Sequence, residues 1–218
     1  MEKQNLKTYL EDYNMLKTYK ILSILLDYPT EDTVKVLPSV MPILEEEKLL
    51  NRVSLRNMLS FLENVEKQDL LEWKEKYTSQ FDYAAATSLY LFDHVYGDSK
   101  KRGMAMVDLK QLYASEGMEI SSGELPDYLP VLLEFIANSQ THEQGADLLA
   151  ETGHVLKKIE TNLKEGNSPY SYLISILIYL ASKGSVQPLT EEEKIEIEHM
   201  HACEACFFNA ADVEQEEL

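Results

Sequence analysis

The chain has 218 residues, 44% of them hydrophobic, with only eight glycines and seven prolines, which excludes a mainly disordered protein. Its formal net charge of −18 excludes a broad surface for nucleic acid or anionic lipid and favours a basic partner. Only two cysteines are present, and residues 1–14 lack the apolar core of a secretion signal, so a cytoplasmic protein without a disulfide framework is expected.

Apolar residues recur at spacings of three and four in the first half of the chain, which predicts helices. The first helix is predicted over residues 6–27 and should end before Pro29, because a residue that precedes proline avoids helical geometry. Pro38 and Pro42 are expected to divide the next segment into two short pieces. Further helices are predicted over residues 51–67 and 70–81.

The second half of the chain shows the same periodicity. The apolar run from Tyr170 to Ala181 has 12 residues, too few for a membrane span of ~20 residues, and predicts a buried core helix. The fold class is therefore all-α: a single bundle of about eight helices over residues 1–184, with a mobile acidic tail over 185–218. The remaining helices are predicted over residues 87–96, 99–116, 128–138 and 141–164.

The acidic tail contains the only grouping of potential metal ligands. His199, His201, Cys203 and Cys206 fall within eight residues, and Cys-x-x-Cys is half of a typical zinc site. Zinc fingers separate their ligand pairs by a dozen residues or more, so adventitious metal binding is favoured over a built site. No phosphate-binding glycine loop and no catalytic motif occurs, which predicts a protein without cofactor or enzymatic activity.

A more specific signal lies in the central block of the chain. Its residues and spacings closely resemble the NarJ family, the nitrate reductase branch of the TorD/DmsD-like chaperones. The matching features are Leu89-Tyr90, His94, Tyr96-Gly97-Asp98, Arg102-Gly103, Leu109, Tyr113, Gly117, Glu124-Leu125-Pro126-Asp127, Pro130 and Glu134.

This resemblance implies a TorD/DmsD-like fold and a chaperone dedicated to one client. The client would be the catalytic subunit of nitrate reductase, bound through its N-terminal segment. The chaperone would assist insertion of the molybdenum cofactor and delay attachment of the subunit to the membrane. A zinc-binding or nucleotide-dependent regulatory protein remains the alternative.

The resemblance also indicates a peptide site. Tyr128 stands where many relatives have histidine, so a histidine-based pH dependence is not expected. Asp127 has an alternative role as the N-cap of the helix that follows it. The residues implied to bind peptide are Glu124, Pro126, Asp127, Tyr128, Tyr90 and His94.

A second group of matching residues is interpreted as structural. Tyr96, Gly97 and Asp98 should form a turn, and Gly103 belongs to the same motif. Arg102 is predicted to form an ion pair with Asp98 or Asp127, because a client rich in arginine or lysine would be repelled by it.

Overall fold

A computed structural model of the chain describes residues 16–97, 100–120, 123–138 and 141–182. Within these ranges all regular secondary structure is helical, apart from one isolated β-bridge, so the all-α prediction is confirmed. A short 3-10 turn, Ala85–Thr87, lies between the fourth and fifth helices. The ten described α-helices are α1 (Lys17–Leu26), α2 (Glu31–Glu47), α3 (Arg52–Val65), α4 (Leu70–Phe81), α5 (Leu91–Tyr96), α6 (Lys100–Ser115), α7 (Leu129–Ala137), α8 (His142–Glu151), α9 (Gly153–Glu165) and α10 (Tyr170–Ala181).

Four sets of predicted features lie outside the described residues. They are the start of the first helix at residue 6, the turn residue Asp98, the acidic tail over 185–218, and the potential metal ligands His199, His201, Cys203 and Cys206.

Helix α1 packs against α2, α7 and α10 and carries a continuous apolar face into the core. Each fully buried leucine or isoleucine on that face contributes about 1.5–3 kcal/mol. Two polar contacts fix its position against α7: the Leu16 N–H donates to the Ala137 carbonyl at 2.7 Å, and the Ser23 hydroxyl donates to the Pro130 carbonyl at 2.8 Å. Helix α7, which follows the Asp127-Tyr128 pair, is therefore anchored on α1.

The prediction that prolines divide the second segment is wrong, because Pro38 and Pro42 both lie inside the continuous helix α2. The two prolines are four residues apart and exposed, so both missing N–H groups fall on the side that faces solvent. The opposite face buries Leu37 and Leu44, and a capping box at Thr30 closes the first turn.

The single helix predicted over residues 141–164 is two helices, α8 and α9, which meet at Thr152. The Thr152 hydroxyl donates to the Leu149 carbonyl at 2.7 Å, so the side chain ends α8 by bonding back to its last turn. Gly153 follows and lowers the helix propensity further. The break allows both helices to pack against α10.

Helix α10 is the predicted core helix, and its burial confirms that prediction. Leu173, Ile174, Ile176 and Leu177 are all fully buried. None of the helices in the described part of the chain combines the length and apolarity that crossing a bilayer requires.

A buried carboxylate, Glu160, joins α9 to α10. Its oxygens accept hydrogen bonds from Lys157 at 2.8 Å, from Lys164 at 2.9 Å and from the Ser175 hydroxyl at 2.5 Å. Burial alone would raise the pKa of this carboxyl, but the bonds from Lys157, Ser175 and Lys164 outweigh it and hold the pKa below its ordinary value. Glu160 therefore stays ionised at neutral pH.

Gly145 of α8 packs closely against Ile136 of α7 and Tyr19 of α1. A Cβ atom at this position would lie 2.5 Å from Ile136 Cγ2 and 3.7 Å from the Tyr19 ring. We expect Gly145→Ala to lower the free energy of unfolding by about 1–3 kcal/mol, because a packed core resists an added methyl group. Urea unfolding followed by circular dichroism measures this change.

The matched control is Gly153→Ala, because no atom lies within 4 Å of the methyl group it adds. That variant should be unchanged or more stable by up to about 1 kcal/mol, since alanine favours helix more than glycine does. Equal behaviour of the two variants would show that α8 has room to move away from Ile136.

Candidate functional site

The two segments of the central block come together through the isolated antiparallel bridge between Tyr90 and Tyr128. Two backbone hydrogen bonds frame it: the Leu91 N–H donates to the Asp127 carbonyl at 3.0 Å, and the Leu129 N–H donates to the Leu89 carbonyl at 2.9 Å. The two tyrosine rings are 5.0 Å apart. We call residues 88–93 and 124–129 the motif junction.

Asp127 connects the two halves of the motif junction with its side chain. Its Oδ2 atom accepts a hydrogen bond from the Phe92 N–H at 3.0 Å, which caps the N-terminus of α5. The alternative role, in which Asp127 caps α7, is wrong, because the N-cap of α7 is Tyr128 and makes no side-chain capping bond. Asp127 thus caps a helix from a distant segment and does not cap its own.

Arg102 lies beside this carboxylate. Its Nη2 atom is 4.0 Å from Asp127 Oδ2, as predicted, but its shorter ion pair, at 2.6 Å, is with Asp93 Oδ1. Sequence reasoning missed Asp93, which lies within the motif junction but has no distinguishing spacing in the sequence. Arg102 therefore ties α6 to α5 and to the motif junction.

The Asp127 side chain is fully buried, and its Oδ1 atom has no hydrogen-bond partner among the described residues. Burial raises the pKa of this carboxyl above its ordinary value, and the Phe92 N–H and Arg102 offset only part of that effect. Because the side chain is not exposed, Asp127 positions the motif junction and does not form its surface.

Tyr128 is also buried, so little of its side chain is exposed to a ligand at the surface. Its hydroxyl lies 2.8 Å from the Tyr77 hydroxyl and 3.2 Å from Asp27 Oδ1, and the Tyr77 hydroxyl donates to the Leu26 carbonyl at 2.8 Å. Burial raises the pKa of Tyr128 far above the ordinary tyrosine value. The phenol is therefore neutral throughout the physiological range.

The surface above these buried residues is acidic and partly apolar. The Tyr90 hydroxyl donates to Glu124 Oε2 at 2.8 Å, and Leu125 is 46% exposed. Asp82 is near enough to contribute to the raised pKa of Tyr90, whose first cause is burial. We call this surface the acidic corner, and its residues are Asp27, Tyr28, Asp82, Tyr90, Glu124 and Leu125.

A basic side chain already stacks at one edge of the acidic corner. Tyr28 is 43% exposed, its ring packs edge-on against Tyr77 at 5.6 Å, and the Lys74 ammonium lies 5.6 Å from the centre of the Tyr28 ring. This contact shows that an aromatic face of the corner is accessible to a cation.

The other matching residues have structural contacts or lie in turns. Pro126 is buried, and its carbonyl accepts from the Tyr113 hydroxyl at 2.8 Å. The half-buried His94 ring bonds the Ser88 carbonyl through Nε2 at 2.8 Å. Gly97 has φ +51° in the turn after α5, and Tyr96 packs on Phe92. Nothing lies within 4 Å of a Cβ at Gly103, so packing does not explain that glycine.

A large cavity is lined by none of the residues of the motif junction. It has a volume of about 910 Å³ and is formed by α3, α4, the 3-10 turn and the connection between α9 and α10. We call it the amide cavity. Sequence reasoning missed it because its carboxamides come from separate segments and form no spacing pattern: Asn64, Gln68, Gln80, Asn162 and Asn167.

No group of three or more histidine, cysteine, aspartate or glutamate side chains that could hold a metal occurs in the part of the chain that the structure describes. The tail ligands lie outside that part, so the prediction about them stays a prediction.

Comparison with known proteins identifies the family of the chain. Residues 46–174, more than half of the chain, match the family described as nitrate reductase delta subunit. The chain belongs to the nitrate reductase delta subunit family. Both segments of the motif junction and all of α3 to α9 lie within the matched range.

Individual members of the delta subunit family agree with this assignment. The nitrate reductase molybdenum cofactor assembly chaperone NarJ of Escherichia coli (strain K12) is 33% identical over 162 residues, which cover 74% of this chain and 68% of that protein. A NarJ relative from Bacillus subtilis (strain 168) is 29% identical over 161 residues, covering 74% of this chain and 86% of that protein. The resemblance to the NarJ family is confirmed.

The fold of this delta subunit family member also occurs among solved structures. A redox enzyme maturation protein from Archaeoglobus fulgidus superposes with a TM-score of 0.51 at 21% identity, covering 75% of this chain and 91% of that one. The predicted fold class is thereby confirmed. Because the curated relatives are named as assembly chaperones, the chain has a chaperone role and is not an enzyme.

Proposed function

We propose that the protein is a cytoplasmic assembly chaperone for nitrate reductase. It binds the N-terminal segment of the catalytic subunit, assists insertion of the molybdenum cofactor, and delays attachment of that subunit to the membrane. The nitrate reductase client follows from the names of the relatives. The acidic corner is the observation that supports a peptide site.

Charge makes the acidic corner suited to a basic leader peptide. The acidic corner has three exposed carboxylates, those of Asp27, Asp82 and Glu124, and the nearby Arg102 is engaged by Asp93. An arginine or lysine of the client would approach a surface on which these three carboxylates outnumber Lys74, the cation stacked at its edge. Such complementarity speeds and selects the encounter.

Apolar contacts would hold the peptide once it has arrived. The exposed Leu125 and Tyr28 and the half-buried Tyr90 offer apolar area next to the carboxylates. A cation placed over a tyrosine face gains about 0.5–1 kcal/mol at an exposed site. The buried Asp127 and Tyr128 contribute indirectly, because they fix the backbone that presents Tyr90 and Glu124.

The test is a calorimetric titration of the full chain with the first 15–20 residues (roughly the reach of a helix-in-groove ligand) of the cognate catalytic subunit. We expect saturable heat at low salt and an affinity about tenfold weaker at high salt, because exposed charges are screened. A peptide with its arginines and lysines replaced by glutamine is the control and should bind weakly at every salt concentration. Equal binding of both peptides, or no heat at low salt, would exclude the acidic corner as the leader site.

A further inference from the structure

A lysine of the protein itself lies against the acidic corner. The Lys74 ammonium, on α4, is 5.6 Å from the centre of the Tyr28 ring. This separation is within the ~6 Å over which an aromatic face attracts a cation. Lys74 is half-buried and Tyr28 is exposed, so the contact forms at the boundary between the core and the solvent. A cation therefore covers part of the aromatic surface of the corner in the free protein.

The place of Lys74 in its helix explains why the ammonium turns to this ring. Residues three and four positions apart are neighbours on a helix, and no carboxylate stands at either spacing from Lys74. Lys76 differs, because Glu72 precedes it by four residues and the two form an ion pair at 2.7 Å. Lys74 forms no ion pair with any of the described residues. The Tyr28 ring takes the place of the missing carboxylate.

The Tyr28 ring is held in position by contacts other than Lys74. Its backbone precedes Pro29, which restricts it to an extended conformation. Its N–H donates a hydrogen bond to Asp27 Oδ1 at 2.8 Å, and its ring packs edge-on against Tyr77 at 5.6 Å. The ring thus presents a fixed surface to a cation, whether that cation comes from Lys74 or from another chain.

The contact of Lys74 with the ring is weak enough to be exchanged. A cation over a tyrosine at an exposed site changes an equilibrium constant only about two- to fivefold. Helix α4 does not depend on this contact, because Trp73 and Tyr77 of the same helix are buried in the core. Lysine also carries a strongly hydrated ammonium on a flexible stem, so the side chain can move into water without disturbing its helix.

We infer that Lys74 is an internal competitor for the acidic corner: its ammonium covers the Tyr28 ring in the free protein, and a basic side chain of the leader replaces it there. The inference rests on the proposed function, because it assigns a competitor to the same site. Lys74 weakens every basic segment that uses this ring by the same factor. A segment therefore needs apolar contacts as well as charge to remain bound.

The test is calorimetric titration of full-length variants with the same leader peptide. Lys74→Gln keeps a long polar side chain and removes the cation, so leader binding should tighten about two- to fivefold at low salt. Lys74→Arg keeps a cation that stacks well on an aromatic ring, so it should not tighten binding. An affinity of Lys74→Gln equal to or weaker than that of the wild type overturns the inference.

Two further variants separate competition for the ring from a general effect of charge. Lys158→Gln removes the same charge from an exposed position of α9, which contributes no residue to the acidic corner, and should leave the affinity nearly unchanged. Tyr28→Leu removes the ring at an exposed position, and in this background Lys74→Gln should no longer tighten binding. An equal gain from Lys74→Gln and Lys158→Gln, or a full gain without the ring, contradicts the inference.

Nuclear magnetic resonance with isotope-labelled lysine observes the competitor directly, because an aromatic ring shifts the signals of protons that lie over its face. The signal of the Lys74 methylene next to the ammonium, identified by its loss in Lys74→Gln, should be shifted upfield in the free protein. It should move to the position of exposed lysines when the leader saturates the corner. A shift that persists in the saturated complex overturns the inference and leaves the proposed function intact. Absence of heat with both the wild type and Lys74→Gln overturns both.

Discussion

Replacing Tyr128 by alanine should lower the free energy of unfolding by about 3–5 kcal/mol, the usual cost of removing a large buried aromatic side chain. The Tyr128 ring packs against Tyr90, and its hydroxyl approaches Tyr77 and Asp27. Its loss leaves a cavity under the motif junction and removes a partner from a buried hydroxyl. Because small domains are stable by only about 5–15 kcal/mol, the variant should approach the limit of folding. Urea unfolding measures the change.

Tyr128→Phe is the matched control, since it keeps the ring and removes only the hydroxyl. It should cost about 1 kcal/mol, the net value of an ordinary hydrogen bond, and should retain leader binding. The opposite pattern, in which Tyr128→Ala keeps its stability and loses the leader, would identify Tyr128 as a direct contact to the peptide and contradict its burial.

Reversing the charge at Glu124 should weaken leader binding about tenfold or more and remove most of its salt dependence, because a lysine there would face the basic peptide. Glu124 is exposed and accepts a hydrogen bond from the Tyr90 hydroxyl, so Glu124→Lys also removes this contact to the Tyr90 ring. The free energy of unfolding should stay within about 0.5 kcal/mol of the wild type, as is usual for exposed substitutions. Calorimetric titration and urea unfolding measure the two effects.

Glu63→Lys controls for total charge, because it changes the net charge by the same amount at an exposed position of α3. It should leave both the affinity and its salt dependence nearly unchanged. If the two variants weakened binding equally, the attraction would arise from the net charge of the whole molecule, and the acidic corner would have no special role.

The periodicity of the sequence was sufficient for the fold class because most helices have a clear apolar face. The prediction from periodicity failed where tertiary packing overrode the local preference of a residue. Pro38 and Pro42 break helices in general, but here both fall on a solvent-facing side that loses little from a missing N–H. The apolar spacing continues across Thr152, so nothing in the periodicity marked the end of α8.

The candidate site was only half predictable for a related reason. The residues of the motif junction were recognised from their fixed spacings, yet their roles depend on contacts between distant segments. Asp127 could be expected to cap the helix next to it, whereas its bond to Phe92 depends on the Tyr90–Tyr128 bridge. The amide cavity had no sequence signal, because asparagine and glutamine are ordinary surface residues until the fold collects them.

The chain contains a single tryptophan, so the intrinsic tryptophan fluorescence of the protein comes from one known position. Trp73 is buried in the wall of the amide cavity and is bonded to Tyr170, whose ring lies 5.8 Å from that of Tyr77. Tyr77 in turn reaches Tyr128 beneath the acidic corner. Indole emission depends on local polarity and hydrogen bonding, so fluorescence from this one residue reports loss of the core on unfolding.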